Sequence, residues 1–186
     1  MMKKINWKTL KTKSGYCADE VISALQKDIR RGNTERAAFW AFELCCSGKE
    51  FQKKFWERML TISVEDIGLA NSLACIVVHD LKEAFYSNYE NDDDALIQAI
   101  FAAVYLSQSK KDRFIDEIKN YFKLFKSNYK IPDYALDKHT EKGKSMGRGD
   151  WYFWKIAAQT NPELKNRDKR YLKKILKFFG SYKHEQ

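Results

Sequence analysis

The feature that most constrains the fold is the distribution of proline, because residues 1–131 contain none. A proline inside a helix removes a backbone donor and clashes with the preceding turn, so its absence leaves helices uninterrupted. Glycine is also scarce, at 8 of 186 residues. No segment alternates between apolar and polar residues in the way that is typical of strands. The sequence therefore predicts an all-α, compact multi-helix fold, and a chain of this length can bury a core.

Apolar residues recur at helical spacing in successive segments that glycines separate. Val21, Leu25 and Ile29 share one face of a first helix, which Gly32 is expected to end because glycine readily adopts the left-handed conformation. Gly48 is expected to end a second helix in the same way. Further helices are predicted over residues 49–63, 72–86, 95–107, 111–128 and 151–158, and a last one from Pro162 to Phe179.

The chain is expected to form a basic N-terminal arm over residues 1–14 and a single helical domain over residues 15–186. Within that domain, residues 15–129 form the helical core, residues 130–150 a glycine-rich basic loop, and residues 151–180 the C-terminal helices. The loop is indicated by one of the two prolines and by three glycines, which break the helical pattern. Two compact lobes remain an alternative.

Several classes of function find no support in the composition. The apolar runs are far shorter than the roughly 20 residues that a membrane helix needs, so a cytoplasmic protein without a membrane contact is expected. The four cysteines lack CxxC spacing, which favours buried reduced thiols over a metal site. Asp92, Asp93 and Asp94 precede a helix, where negative charge is favourable, and lack the further ligands of a calcium loop. No cofactor and no metal is predicted.

The net charge of +9 is unevenly distributed along the chain. Residues 1–106 contain 14 Lys and Arg against 15 Asp and Glu, whereas residues 107–186 contain 20 against 10. The excess in the second part suggests an acidic partner, with DNA as the commonest kind. The same excess is also typical of a solvated helix face that keeps a protein soluble, so both interpretations stay open.

Candidates for binding nucleic acid or another phosphate-bearing ligand lie in the basic loop and in the last helix. Cations and backbone N–H groups of a glycine-rich loop can converge on a phosphate, and a basic helix face can follow a phosphate backbone. The candidates are Lys138, His139, Lys142, Lys144, Arg148, Lys165, Lys169, Arg170, Lys173, Lys174 and Lys177. A mobile basic loop without a ligand is the alternative. The aromatic residues 151–154 are able to stack on bases, but helical spacing favours core packing.

No arrangement of residues indicates catalysis. The three histidines show no ligand spacing, and no serine or cysteine has an identifiable base. Residues 143–145 read GKS, like the end of a phosphate-binding loop, but Lys138 occupies the position that requires the first glycine. The sequence therefore predicts that the chain is not an enzyme. An enzyme that acts on a phosphate-bearing substrate through His139 is the least favoured alternative.

Two segments resemble the C-terminal domain of the RarA/MgsA family of replication-associated AAA+ ATPases. Residues 14–44 read SGYCADEVISALQKDIRRGNTERAAFWAFEL, and residues 62–74 read ISVEDIGLANSLA. The family pattern is a helix reading SALxKxIRxxD, an AAxxW helix and an SEDIGLA corner, in which Val64 here replaces a serine. The matching residues for which a structural role is expected are Ser23, Leu25, Lys27, Arg30, Trp40, Glu65, Asp66 and Gly68.

The resemblance implies the fold of a clamp-loader collar domain, which holds ATPase subunits in a tetrameric ring at stalled replication forks. It implies a homo-oligomer, an AAA+ ATPase partner and a link to DNA replication, recombination or repair. The leading hypothesis is a non-catalytic oligomerisation scaffold whose basic C-terminal half contacts DNA. The alternative is a monomeric nucleic-acid-binding protein that uses the basic loop and the last helix. Whether the chain stands alone or ends a longer ATPase stays open.

Overall fold

The computed structural model describes residues 5–87, 92–125 and 128–181. These residues form α-helices and short 3₁₀ and π turns, with no strand among them, which confirms the all-α prediction. The helices are α1 (Ala18–Arg31), α2 (Thr34–Cys45), α3 (Lys49–Ile62), α4 (Ala74–Ser87), α5 (Asp92–Gln108), α6 (Phe114–Leu124), α7 (Glu141–Ser145), α8 (Asp150–Tyr152) and α9 (Arg170–Ser181). In this part of the chain, no helix combines the length and apolar character needed to cross a membrane.

The chain divides into two compact units, Met1–Lys126 and Ser127–Gln186. Helices α1 to α6 belong to the first unit, and α7 to α9 belong to the second. The boundary lies close to residue 130, where the basic loop is predicted to begin. A single domain over residues 15–186 stays a prediction.

The core of the first unit is built around α5, which packs most extensively against α2 and α4. Fully buried alanines on α2 and α5 permit close approach, since they add little bulk between the helices: Ala37, Ala41, Ala99, Ala102 and Ala103. Larger side chains fill the remaining space, among them Leu25, Trp56 and Phe85, which are almost completely buried. Helix α1 contributes the apolar face that its sequence predicts.

Glycines set two of the helix boundaries, although not in the same way. Gly32 has a φ of 75° and its amide donates to the carbonyl oxygens of Asp28 and Ile29, so it ends α1 as predicted. Gly48, with a φ of 108°, does not end α2 but immediately precedes α3. Helix α2 already ends at Cys45, and residues 46–48 connect it to α3.

Three further segments differ from the predicted pattern. Helix α6 is shorter than residues 111–128, since Phe125 is extended. The last helix begins at Arg170 and not near Pro162, because Asn166 has a φ of 62°, which a right-handed helix excludes. The described part of the N-terminal arm packs on the first unit, where Trp7 meets the Phe51 ring edge-on at a centroid distance of 5.3 Å.

Candidate functional site

A tight corner, residues 63–71, joins α3 to α4 and binds α1. The Asp66 carboxylate is fully buried and accepts hydrogen bonds from Arg30 Nε at 2.5 Å and Gln26 Nε2 at 2.9 Å. Arg30 Nη2 also lies 3.6 Å from a Glu65 carboxylate oxygen. A buried carboxylate requires such partners, because an unpaired charge in the interior is strongly unfavourable. These contacts fix the corner to α1.

The opposite side of the corner holds the segment that leads into α6. The Asp112 amide donates to the Asp66 carbonyl oxygen at 3.0 Å. Gly68 has a φ of 54°, and a Cβ atom at this position would lie 2.4 Å from the Asp112 carbonyl oxygen. Only glycine combines this backbone conformation with so close an approach. Arg113 extends the contact, since its Nε lies 3.8 Å from Asp66 Oδ1 and its Nη2 donates to Asp116.

Helix α6 packs on this corner and turns its apolar face outward. Of the α6 residues, all of which the structure describes, only Asp116 is buried. Its carboxylate accepts hydrogen bonds from Lys119 at 2.5 Å, from Arg113, and from Asn120 at 3.0 Å. The hydrogen bonds from Lys119 and Arg113 hold the pKa of Asp116 below its usual value. These partners all lie on α6 or at its N-cap, and Arg113 connects this polar side to Asp66.

The outward side of α6 carries an apolar surface that we call the α6 stripe. It consists of Phe114, Ile115, Ile118, Tyr121, Phe122 and Phe125. Their spacing places them within one third of the helix circumference. The four aromatic members are between 47% and 57% exposed. Ile115 and Ile118 are partly buried, so the apolar side of α6 is only incompletely covered.

A second apolar surface follows the outer side of α5. We call it the α5 depression, a shallow hollow of about 400 Å³ lined by Ile97, Ile100, Phe101, Val104, Tyr105 and Gln108. Ile97 and Phe101 are more than half exposed. The rings of Phe101 and Tyr105 are stacked with a centroid distance of 6.3 Å, and the Tyr105 hydroxyl accepts a hydrogen bond from Asn71. The first unit thus exposes apolar side chains on α5 as well as on α6.

In the second unit, Arg148 holds the glycine-rich loop together. Its side chain is only 14% exposed and donates to both Asp133 carboxylate oxygens, at 2.7 and 2.9 Å, and to two backbone carbonyl groups. The guanidinium also lies 4.3 Å from the Tyr152 ring centroid. This ion pair holds the pKa of Asp133 below its usual value. Gly143 packs so tightly that a Cβ atom would lie 2.0 Å from the Asp137 carbonyl oxygen.

The other candidate cations of the loop are directed to different carboxylates. Lys138 pairs with Asp150, and Lys144 pairs with Glu141 at 2.7 Å. His139 donates its amide to Asp137 and places Nδ1 3.2 Å from the same carboxylate, contacts that hold the pKa of Asp137 low. Lys142 is exposed. The loop candidates are thus close in sequence, but the structure does not bring their charged groups to a common point.

Helix α9 carries an exposed basic face. Arg170, Lys173, Lys174 and Lys177 follow at the spacing that places residues on one side of a helix, and all four are exposed. The opposite side is apolar and partly buried, with Leu172, Ile175, Leu176 and Phe179, and α9 packs on α8 and on the π turn Phe153–Ala157. Of the two candidates before the helix, Lys169 pairs with Glu163 at 2.5 Å, and Lys165 is exposed.

A family model described as "MgsA AAA+ ATPase C terminal" matches residues 32–185, which is most of the chain. The chain belongs to this family. A curated relative, "ATPase WRNIP1" from Dictyostelium discoideum, is 26% identical over 156 residues. The match covers 82% of this chain but 17% of the relative, so the chain spans only a small part of that protein's length. The predicted resemblance to the MgsA family is confirmed.

The MgsA motif residues build the fold of the first unit. Leu25 is fully buried, Ser23 Oγ accepts a hydrogen bond from Lys27 at 2.5 Å, and Trp40 Nε1 donates to Asp28 Oδ2 at 2.9 Å. Arg30, Glu65, Asp66 and Gly68 form the corner described above. In this MgsA-family chain, the motif therefore marks the packing of α1, α2 and the corner.

Sequence reasoning missed Asp28, which binds Trp40, Asn33 and Arg36. A signal was available, because Asp28 is a charged residue at a position that helical spacing assigns to the buried face of α1.

Of the cysteines, Cys45 is buried, and burial raises the pKa of its thiol well above the usual value. Cys75 is exposed, contrary to the expectation of buried thiols, because it points away from the core side of α4. Among the described residues, no group of three or more potential ligands is arranged to hold a metal ion.

Proposed function

We propose that this chain is a non-catalytic oligomerisation scaffold of an AAA+ ATPase assembly in DNA replication, recombination or repair. The observation that carries the proposal is the outward α6 stripe. Contiguous apolar surface on a soluble domain is unfavourable in water and typically marks a site of protein association. Family membership supports the same role, since the matched part of MgsA proteins is the C-terminal region of an ATPase.

The exposed aromatic area of the α6 stripe is about half of what a stable interface takes from each partner. Each aromatic side chain offers about 150–250 Å² when fully exposed, so the four half-exposed rings of the α6 stripe present roughly 400 Å². A stable interface takes about 800 Å² from each partner. The α5 depression is a second surface of similar length that is able to supply much of the remainder. A tetramer, as the family resemblance implies, with an AAA+ ATPase module as partner, is the proposed cytoplasmic assembly.

The second unit is proposed to contact DNA, because α9 presents four exposed cations on one face. A helix face of this kind can follow a phosphate backbone and release its counterions. The sequence candidates in the loop remain part of the proposed contact surface. We expect them to contribute less to DNA binding than Lys173, Lys174 and Lys177, since Lys138, Lys144 and Arg148 already bind carboxylates. A monomeric nucleic-acid-binding protein is the alternative, and it would not require the α6 stripe.

The solution mass tests the scaffold proposal. Light scattering after size exclusion is expected to give a multiple of the 22.0 kDa chain mass for the wild type and a smaller mass for Phe122→Glu. The matched control is Leu124→Glu, because Leu124 lies on the same helix, outside the stripe, and is 77% exposed. A wild type that stays monomeric at every concentration would refute the scaffold and leave the nucleic-acid-binding alternative.

A further inference from the structure

A cavity of about 330 Å³ lies at the turn between α2 and α3, with Phe85 of α4 and Leu96 of α5 in its wall. Its volume falls in the range of about 300–1,000 Å³ that is typical of small-molecule sites. We infer that this cavity binds a small phosphomonoester that also carries hydroxyl groups, of the sugar-phosphate class. The inference is independent of the proposed scaffold and of the proposed DNA contact, because no residue of α6 or α9 lines the cavity.

Gln52 places an unused hydrogen-bond acceptor in the wall of this cavity. Its Nε2 donates to the Cys45 carbonyl oxygen at 3.0 Å, which defines the other end of the amide as the oxygen. Oε1 is buried and accepts no hydrogen bond within the described part of the chain. Because buried polar atoms normally have a partner, this oxygen indicates a ligand with an O–H or N–H donor.

A second buried polar atom without a partner lies on the same side of α3. Trp56 follows Gln52 by one helical turn, is fully buried, and has no described acceptor for its Nε1. Its ring meets that of Phe85, a cavity residue, at a centroid distance of 5.5 Å. This side of α3 therefore leaves both an acceptor and a donor unsatisfied in the absence of a ligand.

The charges around the cavity favour an anion. Lys13 and Lys49 line it and are exposed, so their ammonium groups lie at its solvent side. Among the described residues that line it there is no Asp or Glu. The Cys45 thiol adds no negative charge, because burial raises its pKa well above the usual value. An acidic group at the solvent side would therefore meet cations alone on the described lining.

The first turn of α3 adds backbone donors next to these cations. Gly48 is the N-cap of α3 and lines the cavity, and glycine has no side chain that could accept from the first amides. Those amides lack an acceptor within the helix, and the partial positive charge of a helix N-terminus favours phosphate. A phosphomonoester offers three acceptor oxygens for amides and ammonium groups, whereas a carboxylate offers two. The combination of donors therefore favours phosphate over carboxylate.

The remaining lining suits the carbon skeleton of a sugar. Phe85 and Leu96 form an apolar wall on which the C–H groups of a sugar can pack. Gln52 lies three residues after Lys49, which is about 4.5 Å along the helix axis. A pentose phosphate spans this separation, so its phosphate would lie at the start of α3 while a hydroxyl group donates to Gln52 Oε1.

Isothermal titration of the full chain with ribose 5-phosphate tests the inference. Inorganic phosphate should bind about tenfold more weakly or less, since it lacks the hydroxyl groups and the carbon skeleton. The double variant Lys13→Ala, Lys49→Ala should weaken binding of ribose 5-phosphate by about tenfold or more. Its matched control is Lys8→Ala, Lys110→Ala, which removes the same charge from exposed positions that do not line the cavity. The control should bind like the wild type.

Gln52→Leu tests the orphan acceptor directly and should also weaken binding of ribose 5-phosphate by about tenfold, because no oxygen remains to accept from the hydroxyl group. Circular dichroism shows whether this variant folds. If it does not, the double lysine variant still decides the question, since both lysines are exposed and their removal leaves the core unchanged.

Three results would overturn the inference. The first is the absence of binding heat and of any rise in unfolding temperature with ribose 5-phosphate up to about 10 mM. The second is equal affinity for inorganic phosphate and ribose 5-phosphate, which would indicate an adventitious ion only. The third is an equal loss of affinity in the double lysine variant and its control. None of these results bears on the solution mass, so the scaffold proposal stands or fails separately.

Discussion

The Arg30 guanidinium lies 2.5 Å from the fully buried carboxylate of Asp66, so one ion pair fixes α1 to the corner between α3 and α4. Both residues lie in the segments whose sequence resembles the MgsA family. Gln26 completes the set of donors, and Arg113 approaches from the segment before α6. The corner therefore links the first helix of the unit to the helix that carries the exposed stripe.

Replacing Asp66 by Asn should lower the free energy of unfolding of the first unit by about 2–4 kcal/mol, because it removes one partner of a buried ion pair. Arg30 remains partly accessible to water, which places the effect below the largest values for such changes. Urea unfolding followed by circular dichroism measures it. Asp80→Asn, at an exposed position of α4, is the matched control and should change stability by less than about 0.5 kcal/mol. Equal losses of stability in Asp66→Asn and Asp80→Asn would show that the buried ion pair does not stabilise the unit.

Gly68→Ala should destabilise the corner, because the new Cβ atom would lie 2.4 Å from the Asp112 carbonyl oxygen at a positive φ. We expect a loss of about 2 kcal/mol or more, together with movement of the segment that leads into α6. Thermal unfolding reports the first effect, and hydrogen exchange of residues 112–116 reports the second. Gly149→Ala is the control, since Gly149 has a negative φ and open space around it. If Gly68→Ala unfolds at the wild-type temperature and the hydrogen exchange of residues 112–116 is unchanged, the close contact between Gly68 and the Asp112 carbonyl oxygen is not required.

Much of the fold could be predicted from the sequence, since the apolar spacing of α1 to α5 specifies which faces are buried. The orientation of α6 could not. Its spacing correctly identifies an apolar side, but spacing alone does not show that the aromatic residues of this side stay about half exposed while Asp116 is buried between Arg113 and Lys119. That outcome depends on Arg113 reaching Asp66, a contact between residues far apart in sequence.

The basic loop was predictable as an irregular segment but not in its internal pairing. The sequence places Lys138, Lys144 and Arg148 close together, which favours a common ligand. In the structure, Lys138 pairs with Asp150, Lys144 with Glu141 and Arg148 with Asp133, all within the second unit. The amino-acid composition gives the number of charged residues, but it does not show which carboxylate each cation pairs with.

The stability of α6 should depend on pH through Asp116. Hydrogen bonds from Lys119 and Arg113 lower the pKa of this carboxyl in the folded state, so folding favours its ionised form. The stabilisation is fully present above the unfolded-state pKa of about 3.9 and is lost as the pH falls through the lower folded-state value. Urea unfolding between about pH 3 and pH 7 should therefore show that Asp116→Asn is less stable than the wild type near neutral pH. The difference should shrink towards the acidic end, and a constant difference across the range would contradict this linkage.

The exposed basic face of α9 should determine how strongly the chain binds DNA. The triple variant Lys173→Ala, Lys174→Ala, Lys177→Ala should bind duplex DNA more weakly, because three cations on one helix face no longer neutralise phosphates. Each lost phosphate contact lowers the slope of log affinity against log salt by about 0.9, so the slope should fall by up to roughly 3. Fluorescence anisotropy at several salt concentrations measures both quantities. A variant with Lys8, Lys53 and Lys110 changed to Ala removes the same charge from exposed positions of the first unit and is the control. If both variants lose affinity equally, net charge and not the α9 face determines binding.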